Sequence, residues 1–295
     1  MSVGQSLADD SALASEVPTS ESGSDNFPCH VPYQRAFSTI GCPELSLGEV
    51  LALAGRHGIG GIEVRGLGGT LDLPEYFAQV FGSPAGVAGR SSDGPVEILA
   101  LDTSFKLSDK DATNREALLR FVPWAEALGV PRLRVFDGGR SGDAEELERA
   151  AGTLAWWREL RTRHGWRTDL MIETHDSLFT AEAIGRFLAR VPDAALLWDS
   201  HHTWKRGGES PSTTWGAIKG NVVHVHVKDS VSRPSARHSF TYVLPGTGEF
   251  PAAVLFAELR GGGFRGPVSL EWEKLWHPYL PPLSDALTAA ALGWR

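Results

Sequence analysis

Four short apolar runs in the second half of the chain each end on a side chain able to bind a hard or borderline cation. TDLMIET (168–174) carries Glu173, AALLWD (194–199) ends on Asp199, NVVHVHVKD (221–229) carries His226, and PVSLEW (267–272) carries Glu271. Taken singly, an acidic residue at the end of a strand is most often a turn or cap residue. Four such ends in succession reading Glu, Asp, His, Glu point instead to convergence on one ion. Carboxylates with one imidazole suit Mn²⁺ first, with Co²⁺, Mg²⁺ or Zn²⁺ as alternatives, the imidazole weighing against Mg²⁺. Each end also brings polar company. His175 follows Glu173 by two, His202 follows Asp199 by three, Lys228 and Asp229 follow His226, and Glu273 and Lys274 follow Glu271. Earlier runs carry Glu63, Arg65, Asp102 and Arg134. These are expected to orient ligands and grip a polar substrate, so Glu63, Arg134, His175, His202, Lys228 and Lys274 are candidate substrate-side residues.

Ligands this far apart need a scaffold that returns each strand to the same end. From Arg35 onward, β-branched and aliphatic runs alternate with helical patterns. AFSTI (36–40), GIEVR (61–65), VEILALDTS (96–104) and PRLRVF (131–136) precede the four runs above, with helices predicted near 45–58, 111–128, 143–163, 180–190, 251–261 and 283–292. Strict βα alternation implies parallel pairing. Eight units over about 260 residues match a single closed (β/α)8 TIM barrel, whose chemistry belongs at the C-terminal ends of the strands. The turn after AFSTI reads GCPELS, without the glycine fingerprint of a dinucleotide fold. Residues 1–34, rich in Ser, Asp, Glu and Ala and without Lys or Arg, read as a flexible tail ahead of the barrel at 35–295.

Among 295 residues, 28 Lys and Arg stand against 36 Asp and Glu, a formal charge of −8. That balance counts against a surface built for nucleic-acid phosphates or anionic lipid. Two cysteines make no disulfide framework, and no apolar run reaches a membrane span. With no signal-peptide pattern either, the expectation is a cytoplasmic protein. Exposed barrel helices leave a homodimer or homotetramer open. GGRSGD (138–143) and KRGGESP (205–211) read as turns, with phosphate gripping as the alternative.

IETHD (172–176), WDSHH (198–202), HVHVKD (224–229), GTGEF (246–250) and SLEWE (269–273), with the opening segment 37–66, resemble the sugar phosphate isomerase/epimerase group of the xylose-isomerase-like TIM-barrel superfamily. The resemblance implies a metal site of Glu173, Asp199, His226 and Glu271 and a substrate contact at His202. It also implies an isomerase or epimerase acting on a sugar- or polyol-derived hydroxy-ketone through a metal-stabilised enediolate, with Glu173 and Glu271 moving the proton. HVHVKD looks more like the inosose-dehydratase side of the group, so a dehydratase or keto-glycoside-eliminating lyase is the alternative. The ketose 3-epimerases carry an arginine where Ser232 stands here. Apurinic endonucleases share the barrel but meet a polyanion, which the acidic balance disfavours, and a silent sugar-binding barrel would lack one of the four ligands.

Overall fold

The computed structural model describes Met1 and residues 32–88, 94–111 and 113–293. Most of the N-terminal segment 1–34 therefore lies outside the described residues. Residues Val31–Arg295 cluster as one compact unit. Among the described residues the strands are β1 (Gln34–Ser38), β2 (Gly61–Val64), β3 (Glu97–Lys106), β4 (Arg132–Phe136), β5 (Asp169–Glu173), β6 (Leu196–Asp199), β7 (Val222–Val227), β8 (Asp229–Val231), β9 (Thr241–Val243) and β10 (Pro267–Leu270). Eight of them, β1–β7 and β10, close into a parallel barrel, with β10 filling the gap between β7 and β1. The fold is a TIM barrel, and β8 and β9 form an antiparallel hairpin outside it.

Several boundaries differ from the sequence expectations for physical reasons. β1 begins at Gln34, because Tyr33 is already buried and stacks on Phe256 with centroids 5.9 Å apart. The single helix expected over 111–128 is two, Thr113–Leu119 and Val122–Leu128. Pro123 falls in the first turn of the second helix, and its missing N–H and its ring prevent continuation of the first. Helices also form where none is predicted from the sequence. Leu73–Phe81 is capped by Asp72, whose carboxylate accepts from Glu75 N, and Pro211–Ile218 is capped by Ser210. Of the expected helices, Leu47–Arg56 starts on a reciprocal capping box between Ser46 and Glu49, and Ala144–His164 stops at the left-handed Gly165. No helix among the described residues is long and apolar enough to cross a membrane.

Period-two alternation sends every second strand residue into the lumen. Ala100, Met171 and Leu197 form an apolar cluster there. Two residues further along the same three strands stand Asp102, Glu173 and Asp199, each fully buried. The barrel mouth is thus floored by hydrocarbon and filled above it by ionisable groups.

Candidate metal centre

Glu173 closes β5 and Asp199 closes β6, while His226 is the penultimate residue of β7 and Glu271 stands one past β10. Register places Asp199 beside His226, and Glu271 N donates to Val227 O, which carries β10 one step further alongside β7. One oxygen or nitrogen from each of Glu173, Asp199, His226 and Glu271 lies within 4.8 Å of the others. Asp199 divides its labour. Its Oδ1 accepts from His201 N and His202 N at 2.9 Å, starting the helix Ser200–Lys205, and Oδ2 turns toward the cluster. Ser200 Oγ donates to His226 O at 2.7 Å, tying that helix to β7.

The unsatisfied atoms of this donor set suit a divalent ion. Glu173 Oε1 and Oε2 and His226 Nδ1 are buried with no hydrogen-bond partner, while Asp199 Oδ2 faces Lys228 and His202. Around the site buried carboxylates, among them Glu63, Glu173, Asp199 and Glu271, stand beside the buried cations Arg65, Arg134 and Lys228. Uncompensated buried negative charge is costly, and a divalent cation shared by these carboxylates would offset it. The residues fit the ion.

Lys228 lies closer to this centre than its place in the sequence suggests. Its Nζ, almost completely buried, meets Asp199 Oδ2 at 2.9 Å and Glu273 Oε1 at 2.6 Å, and pairs with Glu271 Oε2. Burial opposes its charge, but Asp199 and Glu271 outweigh it and hold the ammonium well above the ordinary lysine range. Burial likewise opposes the Glu271 carboxylate, and Lys228 and His226 reverse that, holding its pKa well below the usual range. Glu173 behaves oppositely: burial raises its pKa, with Arg134 opposing. Asp229, beside Lys228, has a different task. It accepts from Gly246 N and Gly248 N at 2.9 Å and from Phe250 N at 3.0 Å, folding the GTGEF turn after the β8–β9 hairpin.

The remaining candidates divide into those at the centre and those elsewhere. His175 and His202 stand with Glu173 in a second close group, rings edge to face at 4.9 Å. His202 Nδ1 lies 3.2 Å from Thr174 O, and His175 Nδ1 lies 3.1 Å from Asp176 Oδ1. Arg134 runs through the lumen, with Nε 3.3 Å from Glu173 Oε2, Nη2 3.6 Å from Asp102 Oδ2 and Nη1 donating to Thr103 O. It supports the ligands from inside the lumen. Glu63 also lies in the lumen, against His224 and His226. Lys274 points elsewhere, donating from Nζ to Leu280 O. His201 leaves the centre too, its Nε2 2.8 Å from Ser230 Oγ among Trp204, Phe240 and Tyr242.

Three residues were not singled out from the sequence. Tyr242, on β9, donates to Glu273 Oε1 at 2.9 Å, and no motif marks it. Asp137 accepts from His175 N, Asp176 N and Ser177 N at 2.7–3.1 Å, fixing the loop that carries His175. It follows the last residue of β4, so the rule of acidic residues at strand ends points to it. Asp176 is visible only as the neighbour of His175. The two loops considered for phosphate are internally satisfied: Glu146 Oε2 accepts from Arg140 N, Ser141 N and Gly142 N, while Arg206 donates to the carbonyls of His175 and Asp176. They serve as turns.

Residues 51–294 match the family described as xylose isomerase-like TIM barrel. No match was found among curated proteins. Similar solved structures include a probable 3-DHS dehydratase, AsbF, of Bacillus anthracis, at 19% identity over 88% of this chain and 97% of that one, with a TM-score of 0.69. Another is an IolI protein with a zinc atom, at 19% identity over 88% and 96%, TM-score 0.68. A third is a D-psicose 3-epimerase in the presence of D-fructose, at 17% identity over 88% and 97%, TM-score 0.63. At these identities the likeness establishes the fold.

Proposed function

Because the chain belongs to the xylose isomerase-like TIM-barrel family, we propose that it is a divalent-metal-dependent isomerase or epimerase of a sugar- or polyol-derived hydroxy-ketone. The observation that carries this reading is the convergence of Glu173, Asp199, His226 and Glu271 within 4.8 Å of one another, with the Glu173 oxygens and His226 Nδ1 buried and without hydrogen-bond partners. A divalent cation held there would supply Lewis acidity to a substrate carbonyl, favouring the charge that develops as the neighbouring C–H loses its proton.

The chain's own groups move the proton. Glu173 and Glu271, on well-separated strands, can address opposite faces of the substrate carbon, one carboxylate removing the proton and the other returning it. His202 and His175, beside Glu173, are placed to hydrogen-bond substrate hydroxyls. Return of the proton to the opposite face gives an epimer, and return to the adjacent carbon an isomer.

A second reading, elimination of a β-hydroxyl or β-alkoxy group, is favoured by Lys228. Its ammonium is buried between two of the proposed ligands and can protonate a leaving oxygen. Incubating the Mn²⁺-loaded protein with keto-sugars and keto-polyols in D₂O separates the two. Deuterium in recovered, fully hydroxylated sugar supports the first reading, and an unsaturated ketone the second. Neither product with any hydroxy-ketone tested would count against both.

A further inference from the structure

Glu63, at the end of the β2 lumen face, has no exposed surface, and each of its oxygens lies within ion-pairing distance of a histidine. Oε1 lies 2.8 Å from His226 Nε2 and accepts from Ser269 Oγ at 2.8 Å, and Oε2 lies 3.1 Å from His224 Nε2. The other nitrogen of His226, Nδ1, faces the proposed ion site, 3.4 Å from Glu271 Oε2 and 3.9 Å from Glu173 Oε1. An imidazole offers a lone pair to a cation through one nitrogen while the other carries the proton, and the acceptor beside that second nitrogen decides which is which. A carboxylate at Nε2 therefore selects the tautomer with Nδ1 free and fixes the plane of the ring. His224, two residues earlier on the same strand, occupies the second oxygen, and Ser269 holds the first from β10. His224 and Ser269 flank the carboxylate and hold it beside His226.

We propose that Glu63, braced by His224 and Ser269, is a positioning residue that presents His226 Nδ1 to the divalent cation rather than a contact for substrate. This rests on the metal-dependent reading above.

The test is calorimetric titration of the chelator-treated full chain with Mn²⁺, run beside thermal unfolding, for the wild type, Glu63→Ala, Glu63→Gln and Glu63→Asp. The expected result is about 10–100-fold weaker Mn²⁺ binding for the first two variants, with partial recovery in Glu63→Asp and one ion still bound at saturation. Should Glu63→Ala fail to fold, the near-isosteric Glu63→Gln decides. A purely structural role predicts lower unfolding temperatures with unchanged Mn²⁺ affinity, and that result would overturn this proposal alone. A wild type that takes up no Mn²⁺ would overturn the metal reading, and this proposal with it.

Discussion

On β3, β5 and β6, Ala100, Met171 and Leu197 fill the lumen toward the N-terminal ends of the strands, while two residues along each strand Asp102, Glu173 and Asp199 fill it toward the C-terminal ends. The backbone geometry is the same in both tiers, so the contrast lies in what balances burial. The lower tier is held by packing, where each methylene removed from water contributes and an empty volume is penalised. In the upper tier burial works against every group, and charge pairing must offset it: Arg134 against Asp102 and Glu173, and Lys228 against Asp199, Glu271 and Glu273.

The largest effect separating the tiers is expected at Met171. Met171→Ala should destabilise the chain by about 2–5 kcal/mol, as for a fully buried side chain whose site cannot collapse. Mn²⁺ affinity should stay near that of the wild type, as read by denaturant unfolding alongside metal titration. A lost metal site in a folded Met171→Ala chain would show that the tiers are not separable.

A smaller effect, of opposite sign, is expected at Asp102. Burial and the neighbouring Glu63 carboxylate raise its pKa to about 7, against the opposing pull of Arg134. An unfolded aspartate ionises near pH 4, so between about pH 4 and 7 the folded chain binds the extra proton. Stability then falls as pH rises through that window, and the cost is fully present above it. In the metal-free protein, Asp102→Asn should be more stable than wild type at pH 8, with the difference vanishing near pH 4. Thermal unfolding at the two pH values measures this. A variant less stable than wild type at pH 8 would show that the Arg134 pair outweighs burial.

The tiers were unequally legible in the sequence. The eight barrel strands follow from apolar runs of the right length, and the ends of β5, β6 and β7 and the residue after β10 could be read because the side chain closing or following each run is of a metal-binding type. The inward direction of Arg134 was also readable, since Leu133 and Val135 flank it on the opposite face of β4. Its partners were not, because pairing with Asp102 on one side and Glu173 on the other depends on the stagger of the closed barrel. The same holds for Lys228 and Asp229, adjacent in the chain but sent to the proposed ion site and to the hairpin turn by the break between β7 and β8. Lys274, with similar company in the sequence, turns to Leu280 O because the chain leaves the barrel direction after Glu271. Local pattern specifies which residues end strands, and tertiary closure decides what they meet.

The central claim, that four side chains from four strands share one divalent ion, is tested most directly by elemental analysis and Mn²⁺ titration of the purified chain beside Glu173→Gln. The account predicts one ion per wild-type chain, and a folded Glu173→Gln chain that has lost it. A wild type without a bound divalent ion, or a Glu173→Gln chain that binds Mn²⁺ as tightly as wild type, would contradict it.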